Sequence, residues 1–227
     1  MSDMESLIER AQRRPDERVE PTGAAQGSAS WLYERVGYIT CSRFNDVIAK
    51  TKAGKPTAAR EKYLGEVVVE RVTGQPQDHF TNSAMQWGAD TEPKSRMDDE
   101  AQTGEIIEEV GFIKHPTLPM VGGSPDGLIG DDGGWESKSP YNTWIHLQTV
   151  LNGMPEDHMA QVQGLLWITG RKWWRFKSFD PRLPAPLCRY VLRVERDEDY
   201  IAALEMEVIA FSAEVAAMVA KLQGYRA

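Results

Sequence analysis

The apolar residues of the chain recur at intervals of three and four in several long segments, which is the period of an amphipathic helix. This pattern predicts helices over residues 30–36, 57–73, 82–103, 144–152 and 197–223, one that carries Phe44, Val47 and Ile48, and one that opens at Pro155 or Glu156 and runs through Thr169. Asn82 or Ser83 is the expected N-cap of the helix over 82–103, and Gly74 is expected to end the helix before it.

Alternating apolar and polar positions predict strands in much of the remaining chain. The predicted strands are 105–114, 120–124, 126–129, 135–139, 172–179 and 189–195. The third and fourth flank a glycine-rich turn at 130–134, which is typical of an antiparallel hairpin. The last two are expected to pair antiparallel at the edge of the sheet. Helices and strands in this order predict an α/β fold, with a mixed central sheet flanked by helices.

The predicted hairpin carries a cluster of charged residues. Side chains alternate along a strand, so Glu136 and Lys138 share one face and Ser137 lies on the other. Pairing of the two strands would bring Asp126 across from Glu136, so that two carboxylates and an ammonium group converge. The alternative is an ordinary surface hairpin, in which Lys138 pairs with one of two solvated acids.

Such a cluster has a recognised chemistry. Two carboxylates are hard oxygen ligands that suit Mg²⁺ or Mn²⁺, and these ions keep several waters and leave room for a phosphate oxygen. The metal polarises the phosphoryl group and acidifies a bound water, while a nearby lysine can orient that water, take its proton or stabilise the developing charge. The hairpin therefore predicts hydrolysis of a phosphodiester.

Composition narrows the class of protein. A chain of 227 residues is long enough for one sizeable core and needs only one domain. The sequence has no apolar run near the roughly 20 residues of a membrane span and no apolar stretch typical of a signal peptide. Its two cysteines, Cys41 and Cys188, lie far apart without a CxxC pattern. They predict reduced thiols in a cytoplasm and argue against a zinc or iron–sulfur site.

Charge and the N-terminal segment add two expectations. The formal net charge is −8, whereas a DNA-binding surface is usually basic, so any contact with DNA would rely on a local basic groove. Residues 1–27 are polar and end in a stretch rich in small residues. We expect a flexible or partly helical arm there, ahead of a single domain over residues 28–227.

Several blocks of sequence resemble the phage lambda-type exonucleases, also called YqaJ-like viral recombinases, within the PD-(D/E)xK nuclease superfamily. The blocks are GYITCS at 37–42 with VIAK at 47–50, WGADTE at 87–92, SPDGL at 124–128, ESKSP at 136–140 and MAQVQ at 159–163. They follow the family's order over roughly residues 31–200, and together they are far more specific than any one alone. The resemblance implies a restriction-endonuclease-like core. The four-cysteine cluster of Cas4-like relatives is absent from the sequence.

The resemblance implies roles for the residues of the hairpin. Asp126 and Glu136 would bind the metal, Mg²⁺ with Mn²⁺ as a substitute, and the backbone carbonyl of Ser137 would complete the ligand set. Lys138 and Gln161 would handle the attacking water. The alternative for Gln161 is a plain surface position.

Glu92 would assist at the same site from its helix, often through water. The alternative is a surface ion pair between Glu92 and Lys94 or Arg96. Gln163, two residues beyond Gln161, is expected to face elsewhere.

Three further residues match the family's site for the 5′-phosphate of DNA. They are Arg35, Ser42 and Ser124. A helix N-terminus with hydroxyl groups and a nearby arginine is a ready anion site. The alternative is a simple helix cap at Thr40 or Ser42 and a solvated Arg35.

Two more residues are candidates for contact with DNA. Met85 matches an apolar wedge that separates the terminal base pairs in the lambda-type enzyme, although a helical methionine also suits a core. Lys52 lies in a basic, glycine-containing loop that would follow a DNA backbone or remain an ordinary surface loop. Trp87 is expected in the core.

The resemblance implies a metal-dependent exodeoxyribonuclease that digests the 5′-ended strand of duplex DNA processively and leaves a 3′ single strand for phage recombination. It further implies a homotrimeric ring, a single-strand annealing protein as partner, and the cytoplasm of a bacterial host, with phage or prophage origin. Two alternatives stay open: a sequence- or structure-specific endonuclease of the same superfamily, and a catalytically silent module that binds DNA ends.

Overall fold

The computed structural model describes residues 21–77 and 82–226, which form a mixed α/β structure. Its strands are β1 Ile39–Thr40, β2 Ile107–Glu108, β3 Ile113–Lys114, β4 Val121–Gly123, β5 Gly127–Ile129, β6 Gly133–Lys138, β7 Trp173–Phe179 and β8 Arg189–Glu195. Five of them form a sheet in the order β2-β5-β6-β7-β8, and the others form a small sheet in the order β1-β4-β3. In the larger sheet β6 and β7 run parallel and the other pairs antiparallel.

Helices cover both faces of the larger sheet. They are α1 Ala29–Glu34, α2 Phe44–Ile48, α3 Ala58–Thr73, α4 Ser83–Thr103, α5 Thr143–Asn152, α6 Met159–Thr169 and α7 Glu198–Gln223, with 3-10 turns over Cys41–Arg43 and Glu156–His158. Two predicted helix ends are confirmed, since Asn82 accepts from the Met85 N–H at the start of α4 and Gly74, in a left-handed conformation, ends α3. Among the described residues, no helix is long and apolar enough to cross a membrane.

Glycines in β6 allow two tryptophans of β7 to lie against the neighbouring backbone. Gly133 pairs with Trp173 and Gly134 with Trp174 in the parallel register. A Cβ atom built on either glycine would stand 2.2 Å from the indole ring of its partner. Two glycines of the predicted turn, Gly133 and Gly134, therefore leave space for the indole rings of Trp173 and Trp174. The two rings pack on opposite faces of the sheet.

One face of the sheet packs on an apolar core. Helices α6 and α7 together supply nearly half of its buried side chains, and Trp174 and Val194 of the sheet belong to the same cluster. Tyr63 of α3 stacks on Phe211 of α7 with ring centroids 5.5 Å apart. This side of the molecule follows the predicted periodicity of the helices.

The opposite face contacts α4 through charged side chains. Lys177 of β7 is completely buried, and its Nζ lies 2.7 Å from Asp98 Oδ2 and 2.8 Å from the Ser95 carbonyl. Arg175 binds Asp99 at 2.8 Å, and Arg189 binds both carboxylate oxygens of Asp98. Helix α4 is thus held to the sheet by ion pairs rather than by an apolar stripe.

Three details of the predicted strands differ from the structure. The segment 105–114 is two short strands, β2 and β3, which belong to different sheets. They part at 109–112, where the Thr22 N–H donates to the Phe112 carbonyl and the Gln26 amide donates to the Val110 carbonyl. The strands β7 and β8 do pair antiparallel, as predicted. Of these two strands, however, only β8 lies at an edge of the sheet, and β7 lies between β6 and β8.

Three side-chain expectations also fail. Neither Thr40 nor Ser42 caps the turn that starts at Cys41, because the Thr40 hydroxyl lies 3.3 Å from the Ser42 hydroxyl and makes no cap bond. Val72, which follows the apolar period of the helix predicted over 57–73 and is expected in the core on that ground, is 47% exposed at the end of α3. Trp87 is half-buried and packs between the Arg182 guanidinium and the Tyr141 ring, outside the core.

Candidate active site

The hairpin of β5 and β6 brings the predicted acids together. Gly127 pairs with Trp135, so the register continues to Asp126 and Glu136. The Ser137 N–H donates to Asp126 Oδ2 at 2.8 Å, which fixes the Asp126 carboxylate against β6. The predicted convergence of the two acids is therefore a consequence of local pairing.

Glu136 is the centre of the cluster. It is buried, and its Oε1 accepts from Lys138 Nζ at 2.5 Å and from Gln161 Nε2 of α6 at 2.6 Å. Ser137 points to the other face, where its hydroxyl lies 2.7 Å from that of Ser95. Gln163 turns away as predicted and binds the Glu195 carbonyl at 2.9 Å.

Crowding of acids away from water shifts their proton affinities. Burial raises the pKa of Glu136 to about 8, and the charge of Asp126 adds to the rise. Burial also raises the pKa of Glu92 to about 7, again with a contribution from Asp126. The pKa of Asp126 itself is raised by burial, against the opposing charge of Lys138. Glu92, on α4, thus shares an electrostatic environment with the two hairpin acids.

Lys138 responds in the opposite way to its surroundings. Burial disfavours the ammonium, but the carboxylates of Glu136 and Asp126 outweigh burial and raise the pKa of Lys138. Its side chain is 31% exposed, and its Nζ is paired with Glu136.

The donor set fits a divalent cation. Glu136 Oε2 is buried and has no hydrogen-bond partner among the described residues, and a lone buried carboxylate oxygen is costly unless a cation meets it. No three His, Cys, Asp or Glu side chains within residues 21–77 and 82–226 are spaced to hold one ion. Asp126, Glu136 and the Ser137 carbonyl would therefore hold the ion with waters, and Glu92 would act at a greater distance.

Two cavities open beside these residues. The first has a volume of about 730 Å³ and is lined by Glu92, Arg96 and Asp126 together with residues 21–27 and 108–111. The second, of about 530 Å³, is lined by Arg35 and Ser42 with residues of α3 and the start of α4. Trp31, Gly27 and Ala89 line both, so the two cavities share a wall.

The residues predicted to hold a 5′-phosphate lie near that wall. Arg35 stacks on the Trp31 ring with its guanidinium carbon 4.0 Å from the centroid, and burial lowers the pKa of Arg35. Its Nε is buried without a hydrogen-bond partner among the described residues. Ser42 is exposed in the second cavity, and Ser124 accepts from the Trp31 indole N–H at 3.0 Å.

The two predicted DNA contacts are placed differently. Met85 is 52% exposed in the first turn of α4 and lines the second cavity beside Arg35, so it is not a core residue. Lys52 is exposed on the loop between α2 and α3 and lines neither cavity.

Sequence reasoning missed two features of the site. Arg96 was considered only as a partner of Glu92, but it pairs with Glu109 and lines the first cavity. Its position four residues after Glu92 was the available signal. Residues 21–27 form part of the cavity wall, and nothing in their composition indicated that; residues 1–20 of the predicted arm lie outside the described residues.

Fold and site together define a class. A hairpin that presents Asp-x9-Glu-x-Lys on a mixed sheet flanked by helices is the arrangement of the PD-(D/E)xK nuclease superfamily and its restriction-endonuclease-like core.

Comparison with known proteins identifies the branch of that superfamily. Residues 30–172 match the family model described as the YqaJ-like viral recombinase domain. An alkaline exonuclease from Laribacter hongkongensis, LHK-Exo, is 42% identical, with 86% of this chain and 96% of that chain covered and a TM-score of 0.79. Its complex with dAMP gives 41% identity, the same coverage and a TM-score of 0.80. The chain therefore belongs to the YqaJ-like viral recombinase family, which is the phage lambda exonuclease family.

Two further similarities cover the fold and a short segment of the chain. A phage-related exonuclease from Haemophilus somnus 129PT has the same fold, with 13% identity, a TM-score of 0.67, and 82% of this chain and 96% of that chain covered. ExoD of Escherichia coli (strain K12), an uncharacterized protein, is 39% identical over 54 residues. Those residues are 24% of this chain and 61% of ExoD, less than two thirds of its length.

Proposed function

We propose that the protein is a Mg²⁺-dependent exodeoxyribonuclease that digests the 5′-ended strand of linear double-stranded DNA and leaves a 3′ single strand. The observation that carries the proposal is the buried Glu136, whose Oε1 binds Lys138 and Gln161 while its Oε2 has no partner among the described residues. The burial of Glu136 and its two hydrogen bonds support a catalytic site over a surface ion pair. The relative from Laribacter hongkongensis is an exonuclease and binds dAMP, which supports a nucleotide product.

The residues of the chain divide the chemical work. Asp126, Glu136 and the Ser137 carbonyl would hold Mg²⁺ or Mn²⁺, which supplies Lewis-acid activation of water and of the phosphate. Lys138 Nζ can donate to the attacking water or to a non-bridging phosphate oxygen, and its charge offsets the charge that develops there. Gln161 Nε2, which binds Glu136 from α6, would orient the same water. Glu92 would add a carboxylate between α4 and the hairpin.

The second cavity supports the proposed polarity of digestion. The unpartnered Nε of Arg35 and the exposed Ser42 hydroxyl are donors suited to a terminal phosphate, and Ser124 lies across Trp31 from them. A strand whose 5′-phosphate sits in the second cavity would present its first internal linkage to Asp126 and Glu136 beyond the shared wall. The exposed Met85 would then separate the terminal base pair.

The broader biology is proposed on family membership. The protein would act processively as a homotrimeric ring, together with a single-strand annealing protein, in phage recombination inside the bacterial cytoplasm. Lys52, on an exposed loop, would contact the DNA backbone away from the active centre.

Digestion of linear duplex DNA tests the proposal. A 5′-phosphorylated duplex, end-labelled on either strand, would be incubated with Mg²⁺, Mn²⁺ or EDTA, beside a closed circular duplex. We expect metal-dependent release from 5′ ends only, and a Lys138→Ala loss of about 10²-fold or more in rate while DNA binding persists. Cleavage of the circle would indicate an endonuclease. Binding without cleavage in any of these conditions would indicate a silent end-binding module.

A further inference from the structure

Arg96 lies in the first cavity, close to the catalytic acids. It follows Glu92 by one helical turn, so the two side chains share a face of α4. Both line the cavity together with Asp126. The Arg96 side chain is only 14% exposed.

The guanidinium group of Arg96 is only partly satisfied. Its Nη2 forms an ion pair with Glu109. Its Nη1 is buried and has no hydrogen-bond partner within the described part of the chain. A buried donor without an acceptor costs free energy, so native structures rarely keep one unless a ligand or water completes it.

The charges around the cavity show what kind of ligand would complete it. Four acids line the cavity: Glu92, Glu108, Glu109 and Asp126. Among the described lining residues, Arg96 is the only cation. A DNA strand that enters this acidic cavity would therefore find a single positive side chain there. A guanidinium is also the group whose planar donors match phosphate oxygens best.

The ion pair between Glu109 and Arg96 is weak because Glu109 is largely exposed to solvent. Glu109 is 68% exposed and lies in the segment between β2 and β3. An ion pair with one solvated member contributes little to stability. The carboxylate nevertheless places a negative charge beside the donor that a phosphate would use, so Glu109 would oppose the approach of that phosphate.

We propose that Arg96 binds a non-bridging oxygen of the first internal phosphate of the 5′-ended strand, and that Glu109 is the counter-ion with which this phosphate competes. The proposal rests on the function proposed above, because it concerns the same strand at the same catalytic centre. Arg96 then holds the phosphate from the α4 side, while Lys138 approaches it from β6.

Binding in EDTA tests the contact without cleavage. The ligands are two 5′-phosphorylated duplexes, one natural and one with a methylphosphonate at the first linkage of the 5′-ended strand, which replaces a charged oxygen by a methyl group. We expect Arg96→Ala to weaken binding of the natural duplex about tenfold or more. On the methylphosphonate duplex the same variant should change the affinity less than about twofold, because the negative charge that the guanidinium pairs with is gone.

Two further variants separate a phosphate contact from a structural ion pair. Glu109→Gln keeps an acceptor for Arg96 but removes the charge, so it should tighten binding of the natural duplex, by about twofold to fivefold at low salt. Arg35→Ala is the matched control for the other cavity. Its effect should disappear on a duplex with a 5′-hydroxyl end, whereas the effect of Arg96→Ala should remain.

The possible outcomes are distinct. Equal losses with Arg96→Ala on both phosphate chemistries would show a structural role and overturn the proposal, as would weaker binding with Glu109→Gln. Thermal unfolding of each variant shows whether it folds, and Arg96→Lys provides a charged second variant that should retain part of the affinity. If the wild-type protein fails to digest DNA although the Arg96 effect depends on the phosphate charge, the proposed exonuclease is wrong and the phosphate contact stands.

Discussion

The two faces of the larger sheet carry different kinds of side chain: one is mainly apolar and the other is charged. Toward α6 and α7 the sheet presents Trp174 and Val194, both buried in the apolar cluster. Toward α4 it presents Arg175 and Lys177, which bind acids of that helix. The apolar face is held by burial of surface, which tolerates small shifts of its helices, whereas hydrogen-bonded ion pairs require fixed positions.

Helix α4, on the charged face, also carries three of the residues for which we propose a role at the site. Met85, Glu92 and Arg96 all project from α4 toward the two cavities. A side chain that must meet a phosphate or a metal-bound water needs its helix fixed in rotation and translation. The ion pairs of the charged face therefore fix the position of α4, while burial of the apolar face supplies most of the free energy of folding.

Removal of Trp174 would break the apolar face. Its ring fills the space above Gly134, and Trp174→Ala would leave a cavity that neither backbone nor neighbours can fill. We expect a loss of about 3–5 kcal/mol in the free energy of unfolding, measured by urea titration. The loss should be nearly independent of salt. A loss below about 1 kcal/mol would show that the core collapses around the site.

Removal of Lys177 would break the charged face. Lys177→Met keeps the length of the side chain but leaves the Ser95 carbonyl without its donor and removes a cation from Asp98 and Asp99. We expect a loss of about 3 kcal/mol in stability. Nuclease activity should also fall in the folded variant, because α4 shifts. Unchanged activity at full folding would contradict the positioning role of this face.

An exposed ion pair provides the control for that variant. Lys172 binds Asp132 at 2.8 Å, but the two side chains are 72% and 50% exposed. Lys172→Met removes the same charge in solvent and should change stability by less than about 0.5 kcal/mol.

His115 is a buried titratable residue, and it should make the stability of the protein depend on pH. Its ring packs on Trp167 with centroids 4.4 Å apart, and its Nδ1 accepts from the Leu118 N–H at 2.9 Å. Burial lowers the pKa of His115 to about 4, below that of an unfolded chain. The unfolded state therefore takes up a proton first as the pH falls, and stability is lost between about pH 6.5 and pH 4, by about 3 kcal/mol in all.

The variant His115→Asn measures how much His115 contributes to this pH dependence of stability. Asparagine can still accept from the Leu118 N–H but does not titrate, so the difference in stability between wild type and variant should shrink as the pH falls through that window. A constant difference from pH 7 to pH 4 would show that His115 is not the residue responsible.

The sequence predicted those parts of the site that depend on local pairing. Asp126, Glu136 and Lys138 lie on one hairpin, whose register is set by a short turn, so strand alternation alone brought them together. Gln161 came from the resemblance to the family, since its contact with Glu136 spans 25 residues.

The parts that escaped prediction depend on distant segments. The alternation of Arg175 and Lys177 is also the pattern of a solvated strand face, and their acidic partners lie more than 70 residues earlier in the chain. The split of 105–114 into two strands likewise depends on a contact from Thr22 to Phe112. The spacing of apolar and polar residues within one segment does not show which distant segment will pack against it.

The wall formed by residues 21–27 has a practical consequence for spectroscopy. Gly23 lies in this wall beside the first cavity, is exposed, and has nothing within 4 Å of a Cβ atom built on it. The two native thiols, of Cys41 and Cys188, are both buried. A cysteine introduced as Gly23→Cys would therefore accept a fluorophore selectively, and the dye would sit beside the first cavity, where we propose that the DNA strand binds. Occupancy of the cavity would then become a change in emission, observable in real time and without a label on the DNA.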